Sequence, residues 1–317
     1  MMTRTLQKLE KDIPLSYVGN KIKNYLKEEM ELSSRFVRKA AIEKRIKING
    51  RVIMLDYILR EGDKISILLL SEETQNILPE DIPLDIVFED DAMLIVNKAP
   101  YMVVHPTKTH EGKTLSNAVM HHYQKNGEGT IVRLVSRLDM NTSGLIILAK
   151  NQFVHSTFSK EMAGDNVNKY YIAMVKGDFP ENIDLINLPI YKAEAGAFCR
   201  VVDDRGQESL TEVKVIERNN GYSLLLLKLL TGRTHQIRVH LSHLGYPIIG
   251  DELYGGEMEA INRQALHAMY LNFNHPVTGK EMEVYAKPPE DIFVAGRKLG
   301  FDMDNLNIEL IKENQKG

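Results

Sequence analysis

A stretch that changes from polar to apolar between residues 135 and 150 constrains the fold more than any other part of the chain. It reads Val-Ser-Arg-Leu-Asp-Met-Asn-Thr-Ser-Gly and then Leu-Ile-Ile-Leu-Ala-Lys. The second part has the length and branched residues of a buried strand, and the Asn-Thr-Ser-Gly before it favours a turn. We therefore expect Asp139 in a loop at the mouth of a cleft. An acid in such a place costs free energy unless a cation pairs with it.

Length and composition limit the class of protein. The 317 residues suffice for one large domain and a smaller one. Cys199 is the single cysteine, which excludes a disulfide scaffold or a Cys-based zinc site and favours a reducing compartment. The first residues lack the apolar core of a signal peptide, and the most apolar run, residues 224–230, is too short to span a bilayer. We expect a cytoplasmic protein with no membrane contact.

The first 70 residues are basic, with a net charge of +6 from 15 Lys or Arg and 9 Asp or Glu, whereas the whole chain has a formal net charge of -3. Ser33 and Ser34 can cap a helix that begins near Arg35. Such a basic run is usually a solvated helix face, and nucleic-acid binding is the alternative. The cations opposed only by Glu43 are Arg35, Arg38, Lys39, Lys44, Arg45, Lys47 and Arg51.

The pattern of this block is more specific than its charge. Leu-Ser-Ser-Arg at 32–35, Ile-Lys-Ile-Asn-Gly at 46–50 and Gly-Asp-Lys-Ile at 62–65 resemble the S4 RNA-binding domain. In that family a helix pair and a small sheet present basic residues to structured RNA. The resemblance implies that residues 1–70 form an S4-like α/β domain that positions RNA phosphates.

The remainder of the chain predicts one large α+β domain. Residues 71–82 are polar and contain proline, as is typical of a linker. In residues 83–300 strand patterns outnumber helical ones and do not alternate regularly with them, which favours a mostly antiparallel mixed β-sheet. Residues 301–317 are interpreted as a C-terminal tail, either docked or frayed.

A second informative stretch begins at residue 231 and reads Thr-Gly-Arg-Thr-His-Gln-Ile-Arg-Val-His. It predicts a strand end, a turn carrying Arg233, and a helix that Gly245 ends. Arg137 and Arg233 are thus candidate cations for Asp139. An internal salt bridge between two strands is the purely structural alternative.

Other kinds of chemistry find less support. Three histidines, at positions 235, 240 and 243, lie close together, but no Cys and no His-Glu-x-x-His pattern accompanies them, so we expect no metal. Neither Ser136 nor Ser143 lies in a Gly-x-Ser-x-Gly turn. A glycosidase would need a second carboxylate beside Asp139, and the stretch around it contains none.

Several long motifs, in order, resemble the RluA/RluD-type pseudouridine synthases. They are Ser-Arg-Leu-Asp with Thr-Ser-Gly-Leu from 136, Thr-Gly-Arg-Thr-His-Gln-Ile-Arg from 231, Lys-Tyr-Tyr from 169, and Leu-Ile-Val-Asn-Lys from 94. The resemblance extends to about residue 289. Ser136 stands where many members have His, and Ala-Pro-Tyr at 99–101 stands where Pro-Ala-Gly is common.

The resemblance implies isomerisation of uridine to pseudouridine in RNA, without cofactor or metal. It implies that Asp139 is the essential nucleophile or proton-relay carboxylate, that Arg233 pairs with it, and that Tyr171 stacks on a uracil flipped out of the RNA. Substrate binding is expected from Arg137, Lys169 and Arg238, and RNA binding from Arg35, Arg38, Lys39, Lys44, Arg45 and Lys47.

Ribosomal RNA of the large subunit is the expected substrate, with tRNA as an alternative, and no obligate protein partner is expected. Two rival functions are a non-catalytic RNA-binding or ribosome-assembly protein on the same fold, and a hydrolase of the uridine glycosidic bond. The target uridines, the oligomeric state, the role of Ser136 and the point at which Asp139 attacks stay open.

Overall fold

A computed structural model describes residues 8–69, 75–107, 109–164, 166–192 and 199–315. The first residues of the predicted N-terminal domain, the start of the predicted linker and the last two residues of the predicted tail lie outside these ranges. None of the helices within them is both long and apolar enough to cross a bilayer.

The N-terminal unit is a helix pair against a small antiparallel sheet. Its elements in chain order are β1 (Lys8–Asp12), α1 (Ile22–Glu28), α2 (Ser34–Ile42), β2 (Ile46–Ile48), β3 (Arg51–Val52) and β4 (Lys64–Leu68). The sheet order is β1-β4-β2-β3. The predicted helix start is confirmed, because the Ser33 Oγ accepts a hydrogen bond from the Phe36 N–H at 3.2 Å.

The large unit contains a ten-stranded sheet within the described residues. The elements up to its centre are β5 (Ile86–Glu89), β6 (Met93–Lys98), α3 (Leu115–Lys125), β7 (Arg133–Leu134), β8 (Ser143–Ala149), α4 (Gln152–Ala163) and β9 (Asn168–Lys176). Those that follow are β10 (Leu185–Asn187), β11 (Ile190–Tyr191), β12 (Val201–Val202), β13 (Leu210–Asn219), β14 (Tyr222–Leu229), α5 (Gln236–His243), β15 (Leu266–Asn274), β16 (Glu281–Tyr285), α6 (Glu290–Leu299) and α7 (Ile308–Gln315).

Strand order explains the α+β character of this unit. The order is β10-β13-β14-β9-β15-β8-β6-β5, with β16 on β15 and β7 on β8. Its pairings are antiparallel except that between β8 and β15. The predicted fold class is therefore confirmed. The apolar run predicted as a buried strand is β8, whose seven residues are all buried at the centre of the sheet.

One aromatic contact joins the two units, and one hydrogen bond joins the C-terminal segment to the sheet. The Phe36 and Phe153 rings lie 6.4 Å apart, which packs α2 against α4. At the other end of the chain, the Tyr285 hydroxyl donates to the Leu306 carbonyl at 3.0 Å, and Ile311 of α7 is fully buried. The segment from residue 302 is thus docked as far as the structure describes it.

The parallel pairing of β8 with β15 requires a glycine at position 144. Gly144 has φ +118°, and it pairs with Ala268. A Cβ here would overlap the Ala268 backbone. This close approach of the Gly144 and Ala268 backbones fixes where β8 starts and hence where the loop that carries Asp139 ends.

We expect Gly144→Ala to lower the free energy of unfolding by about 3 kcal/mol, because it adds a steric clash to an unfavourable φ. Urea denaturation measures the change. Gly279→Ala is the matched control, since Gly279 has φ +69° but a Cβ added there would meet no atom within 4 Å, and it should cost about 1 kcal/mol. Equal effects of both substitutions would show that the approach to Ala268 is unimportant.

Candidate active site

Asp139 lies in the loop between β7 and β8, at the edge of the central strands. The Thr142 N–H donates to the Asp139 carbonyl at 3.1 Å, which closes a tight turn over residues 139–142. The Asp139 side chain is 26% exposed, so solvent or a ligand can still reach it. The expectation of a partly exposed acid in a loop that leads into a buried strand agrees with this geometry.

Arg238 of α5 supplies the cation for Asp139. Its Nη1 donates to Asp139 Oδ2 at 2.8 Å, while Nε and Nη2 donate to the two oxygens of Asp251 at 2.7 and 2.8 Å. Burial alone would lower the pKa of Arg238, but the hydrogen bonds and charges of Asp251 and Asp139 raise it above its ordinary value. The guanidinium therefore stays charged between two carboxylates and holds both.

This pairing corrects the expectation for two arginines. Arg233, expected as the partner of Asp139, has its Nε directed to the Glu208 carbonyl at 3.1 Å. Arg238, expected to bind substrate, makes the ion pair instead. The two arginines differ in position: Arg233 lies in the turn before α5, whereas Arg238 lies on the buried face of α5 and meets Asp139 there.

Three further side chains hold the loop by its backbone and by Thr142. The Lys98 Nζ donates to the Met140 carbonyl at 3.0 Å. The Arg263 Nη1 donates to the Asn141 carbonyl at 3.0 Å. The Gln264 Nε2 donates to the Thr142 Oγ1 at 3.1 Å. Each residue from 139 to 142 is thus held by a different side chain of the fold.

Lys98 and Arg263 are both buried and are both anchored elsewhere. The Lys98 Nζ also donates to the carbonyls of Ala99 and Met102, at 2.7 and 3.0 Å. Burial lowers the pKa of Lys98 to about 7, and the positive charge of Arg263 acts in the same direction. Arg263 is held by both carboxylate oxygens of Asp291, at 2.6 and 2.8 Å.

Tyr171 lies close to Asp139, on the central strand β9. It pairs with Leu227 on one side and Ala268 on the other, which places it beside the start of β15. Burial, and then the negative charge of Asp139, raise the pKa of its phenol, so the hydroxyl stays protonated. Lys169 is two residues earlier on β9 and so lies on the same face of the sheet.

His235 is the other group near the carboxylate. Its Nε2 lies 3.8 Å from Asp139 Oδ1, and its Nδ1 lies 2.9 Å from the Tyr254 hydroxyl. Burial lowers the pKa of His235, while the charge of Asp139 opposes the shift. His240 does not join it: its ring nitrogens lie 3.0 and 2.9 Å from Thr211 Oγ1 and the Leu188 carbonyl.

The remaining predicted residues lie on the surface, with one exception. Arg137 is exposed, two residues before Asp139, and Lys39 is half-buried. Arg45 is buried, and its guanidinium donates to the Leu68 carbonyl at 2.7 Å and to Glu43 at 2.7 Å, so its contact with RNA stays a prediction. The exposed cations of the N-terminal set are Arg35, Arg38, Lys44 and Lys47.

The family follows from the comparison of this chain with known proteins. The family description "RNA pseudouridylate synthase" matches residues 92–243, which span the Asp139 loop, Tyr171 and α5. The uncharacterised RNA pseudouridine synthase YjbO of Bacillus subtilis is 38% identical over 248 residues, covering 78% of this chain and 88% of the relative. This chain belongs to the RNA pseudouridine synthase family. It is an enzyme that isomerises uridine in RNA.

Two further similarities support the assignment of the synthase. The ribosomal large subunit pseudouridine synthase D of Buchnera aphidicola subsp. Schizaphis graminum is 34% identical over 279 residues, covering 83% of this chain and 88% of the relative. The solved structure of human RNA pseudouridylate synthase domain containing 1 has 29% identity and a TM-score of 0.53, covering 68% of this chain and 86% of that one. This chain therefore shares the fold and the family of these synthases.

The sequence alone assigns no role to several residues that shape this site. Asp251, Arg263 and Gln264 are separated from Asp139 by more than 100 residues, and although the segment from Arg263 resembles a family segment, residue type and spacing alone do not show that these side chains contact the loop. Lys98 carried a usable signal, because a lysine that ends an apolar strand sequence must either reach water or find buried acceptors.

We expect Arg238→Lys in the synthase to lower the rate of pseudouridine formation by at least about a hundredfold and the free energy of unfolding by about 3 kcal/mol. A lysine cannot donate to Asp139 and Asp251 with the planar geometry of a guanidinium. Single-turnover kinetics and urea denaturation measure the two effects.

Arg297→Lys is the control for this change of side chain. Arg297 pairs with Asp304 at an exposed position, and both quantities should stay within experimental error of the wild type. If Arg238→Lys behaved like this control, the buried ion pair would be dispensable for the reaction.

Proposed function

We propose that the synthase acts on ribosomal RNA of the large subunit and that Asp139 is the carboxylate that reacts. The relatives named ribosomal large subunit pseudouridine synthase D support the substrate, since they match over most of both chains. A tRNA is the alternative substrate. The observation that carries the role of Asp139 is its asymmetric environment: Oδ2 is held by Arg238 at 2.8 Å, whereas Oδ1 lies 3.8 Å from His235 Nε2, beyond hydrogen-bond distance, and the side chain is 26% exposed.

The reaction is an isomerisation, so the atomic composition of the RNA does not change. It requires one correctly positioned acidic side chain. The N1–C1′ bond of the uridine breaks, a C5–C1′ bond forms, C5 loses its hydrogen, and N1 gains one. A carboxylate that is fixed at one oxygen and accessible at the other is suited to attack or to carry a proton. Arg238 offsets the cost of keeping such a charge partly out of water.

Tyr171 is proposed to contact the target base. A protonated phenol is neutral, so its ring can lie near Asp139 without repelling it, and its face offers a stacking surface for uracil. Its hydroxyl is the nearest candidate to assist proton transfer at C5. Arg233 takes no part in the ion pair with Asp139, and we assign it to contacts with RNA near α5.

The target uridine must leave its helix or loop to reach this site. Asp139 is partly enclosed, and a stacked base cannot bring C1′ and C5 to a carboxylate at the edge of a sheet. Arg137 lies exposed on the same loop, where it can contact the RNA backbone or the gap left by the base. Lys169, on the face of Tyr171, is proposed to bind a phosphate.

The N-terminal unit is proposed to bind structured RNA as an S4-like domain. The helix pair and small sheet support this assignment, and α2 carries Arg35, Arg38 and Lys39 on its more exposed face. Lys44 and Lys47 follow directly and are exposed. Phosphate contacts from such cations give affinity without sequence selectivity.

Asp139→Asn is expected to abolish modification while leaving RNA binding within threefold of the wild type, because the amide keeps the shape but not the charge. The single-turnover rate, followed by tritium release from uridine labelled at C5, should fall by at least about a thousandfold. In cells that carry only this variant, the pseudouridines in large-subunit RNA that depend on the gene should disappear.

Two results would contradict the proposal separately. Turnover retained by Asp139→Asn would remove this carboxylate from the chemistry. Unchanged ribosomal RNA in those cells, with pseudouridine lost from tRNA instead, would correct the substrate alone.

Arg35→Gln with Arg38→Gln should weaken RNA binding about tenfold at low salt and reduce the salt slope of log K by about two. Lys23→Gln with Lys27→Gln is the control. This pair of substitutions also removes two positive charges, but the two lysines lie on α1, close to Glu28 and Glu29. Filter binding over a salt series measures both. Equal losses from the two pairs would indicate a general charge effect rather than an RNA-binding surface on α2.

A further inference from the structure

His235 occupies an unfavourable backbone conformation directly beside the reacting group. Its φ of +59° is left-handed, and it is the residue from which α5 starts, yet its side chain does not cap the helix. Instead the imidazole is turned toward Asp139 and Tyr254 and is only 16% exposed. A non-glycine residue in this conformation costs free energy, which the contacts of the side chain must offset.

The hydrogen bonds around Tyr254 favour a proton on Nε2 of the imidazole. The Arg200 backbone N–H donates to the Tyr254 oxygen at 2.8 Å. The hydroxyl hydrogen of Tyr254 is then free to point at His235 Nδ1, 2.9 Å away. A neutral His235 that accepts this bond at Nδ1 has its hydrogen on Nε2, the atom that faces Asp139 Oδ1.

The charges around His235 are consistent with a neutral ring. Asp139, Asp251, Arg238 and Arg200 all act on it, so carboxylates and guanidinium groups oppose each other. Burial lowers the pKa of the imidazole. Tyr254 is itself held, because the Arg238 guanidinium lies 5.0 Å above its ring.

We propose that neutral His235, with its proton placed on Nε2 by Tyr254, is a positioning residue that holds Asp139 Oδ1 during uridine isomerisation. The inference rests on the proposed role of Asp139 as the reacting carboxylate. Arg238 fixes one carboxylate oxygen, and His235 fixes the other. The distance of 3.8 Å exceeds a hydrogen bond, so the proposed contact requires that the distance shorten when RNA binds.

Two amide substitutions separate hydrogen bonding from proton transfer. In His235→Gln the amide nitrogen reaches the place of Nε2, so it can donate to Oδ1 but cannot titrate. In His235→Asn the amide is one carbon shorter and cannot reach Oδ1, although asparagine tolerates a left-handed backbone well. Both variants should fold, which a thermal melt of the full chain verifies.

The expected result is a loss in rate and not in affinity. Single-turnover rates on a fixed RNA substrate should fall about thirtyfold in His235→Asn and stay within about fivefold of the wild type in His235→Gln, with RNA dissociation constants within twofold for both. A wild-type rate in His235→Asn would overturn the proposal. A His235→Gln variant as slow as His235→Asn would overturn it in favour of proton transfer by the imidazole.

Tyr254→Phe tests the proposed role of its hydroxyl. It removes the donor to Nδ1 but keeps the ring against Arg238, and it should slow the wild type about fivefold. In the His235→Gln background it should change nothing further, since no imidazole is left to orient. A fivefold loss in that background also would overturn the part assigned to Tyr254.

Failure of this inference can be told from failure of the proposed function. If Asp139→Asn is inactive while His235→Asn is fully active, the carboxylate reacts but His235 does not hold it. If Asp139→Asn retains turnover, the role of Asp139 fails first, and that of His235 with it.

Discussion

The buried line of charges from Asp251 through Arg238 to Asp139 is the interaction on which the site depends. One largely buried guanidinium serves two carboxylates, that of buried Asp251 and that of partly exposed Asp139. Removing any member of such a group leaves a charge without compensation, which costs far more than a surface ion pair is worth. The line also joins α5 to the loop before β8, so helix and loop keep a fixed relative position.

The sheet supplies the rigid frame for that line. The parallel contact between β8 and β15, possible because position 144 is glycine, places the end of the Asp139 loop beside Tyr171 on β9. Arg263 and Gln264 lie just before β15 and reach back to the loop. A functional group on a loop gains the precision of a strand when its neighbours on both sides are anchored in this way.

Much of this could be predicted from the sequence, because the informative patterns are local. The apolar run of β8, the cap at Ser33 and the acid at Asp139 follow from periodicity and residue type. Which arginine meets Asp139 could not, since the local pattern does not show which side of the turn and helix near the left-handed His235 packs against the Asp139 loop. The inward orientation of Arg45 could not be predicted either, because a basic run does not reveal which of its members turns inward to donate to a carbonyl.

Residues 139–142 are held in place by four side chains, and this decides whether the enzyme or the RNA must change shape on binding. A carboxylate whose loop is held by Lys98, Arg263, Gln264 and Arg238 has little freedom to move toward its substrate. The distortion needed for reaction then falls on the RNA, whose uridine must unstack and rotate outward. We therefore expect uridines that leave their helix at low cost to be favoured, so that the deformability of the RNA contributes to the choice of site.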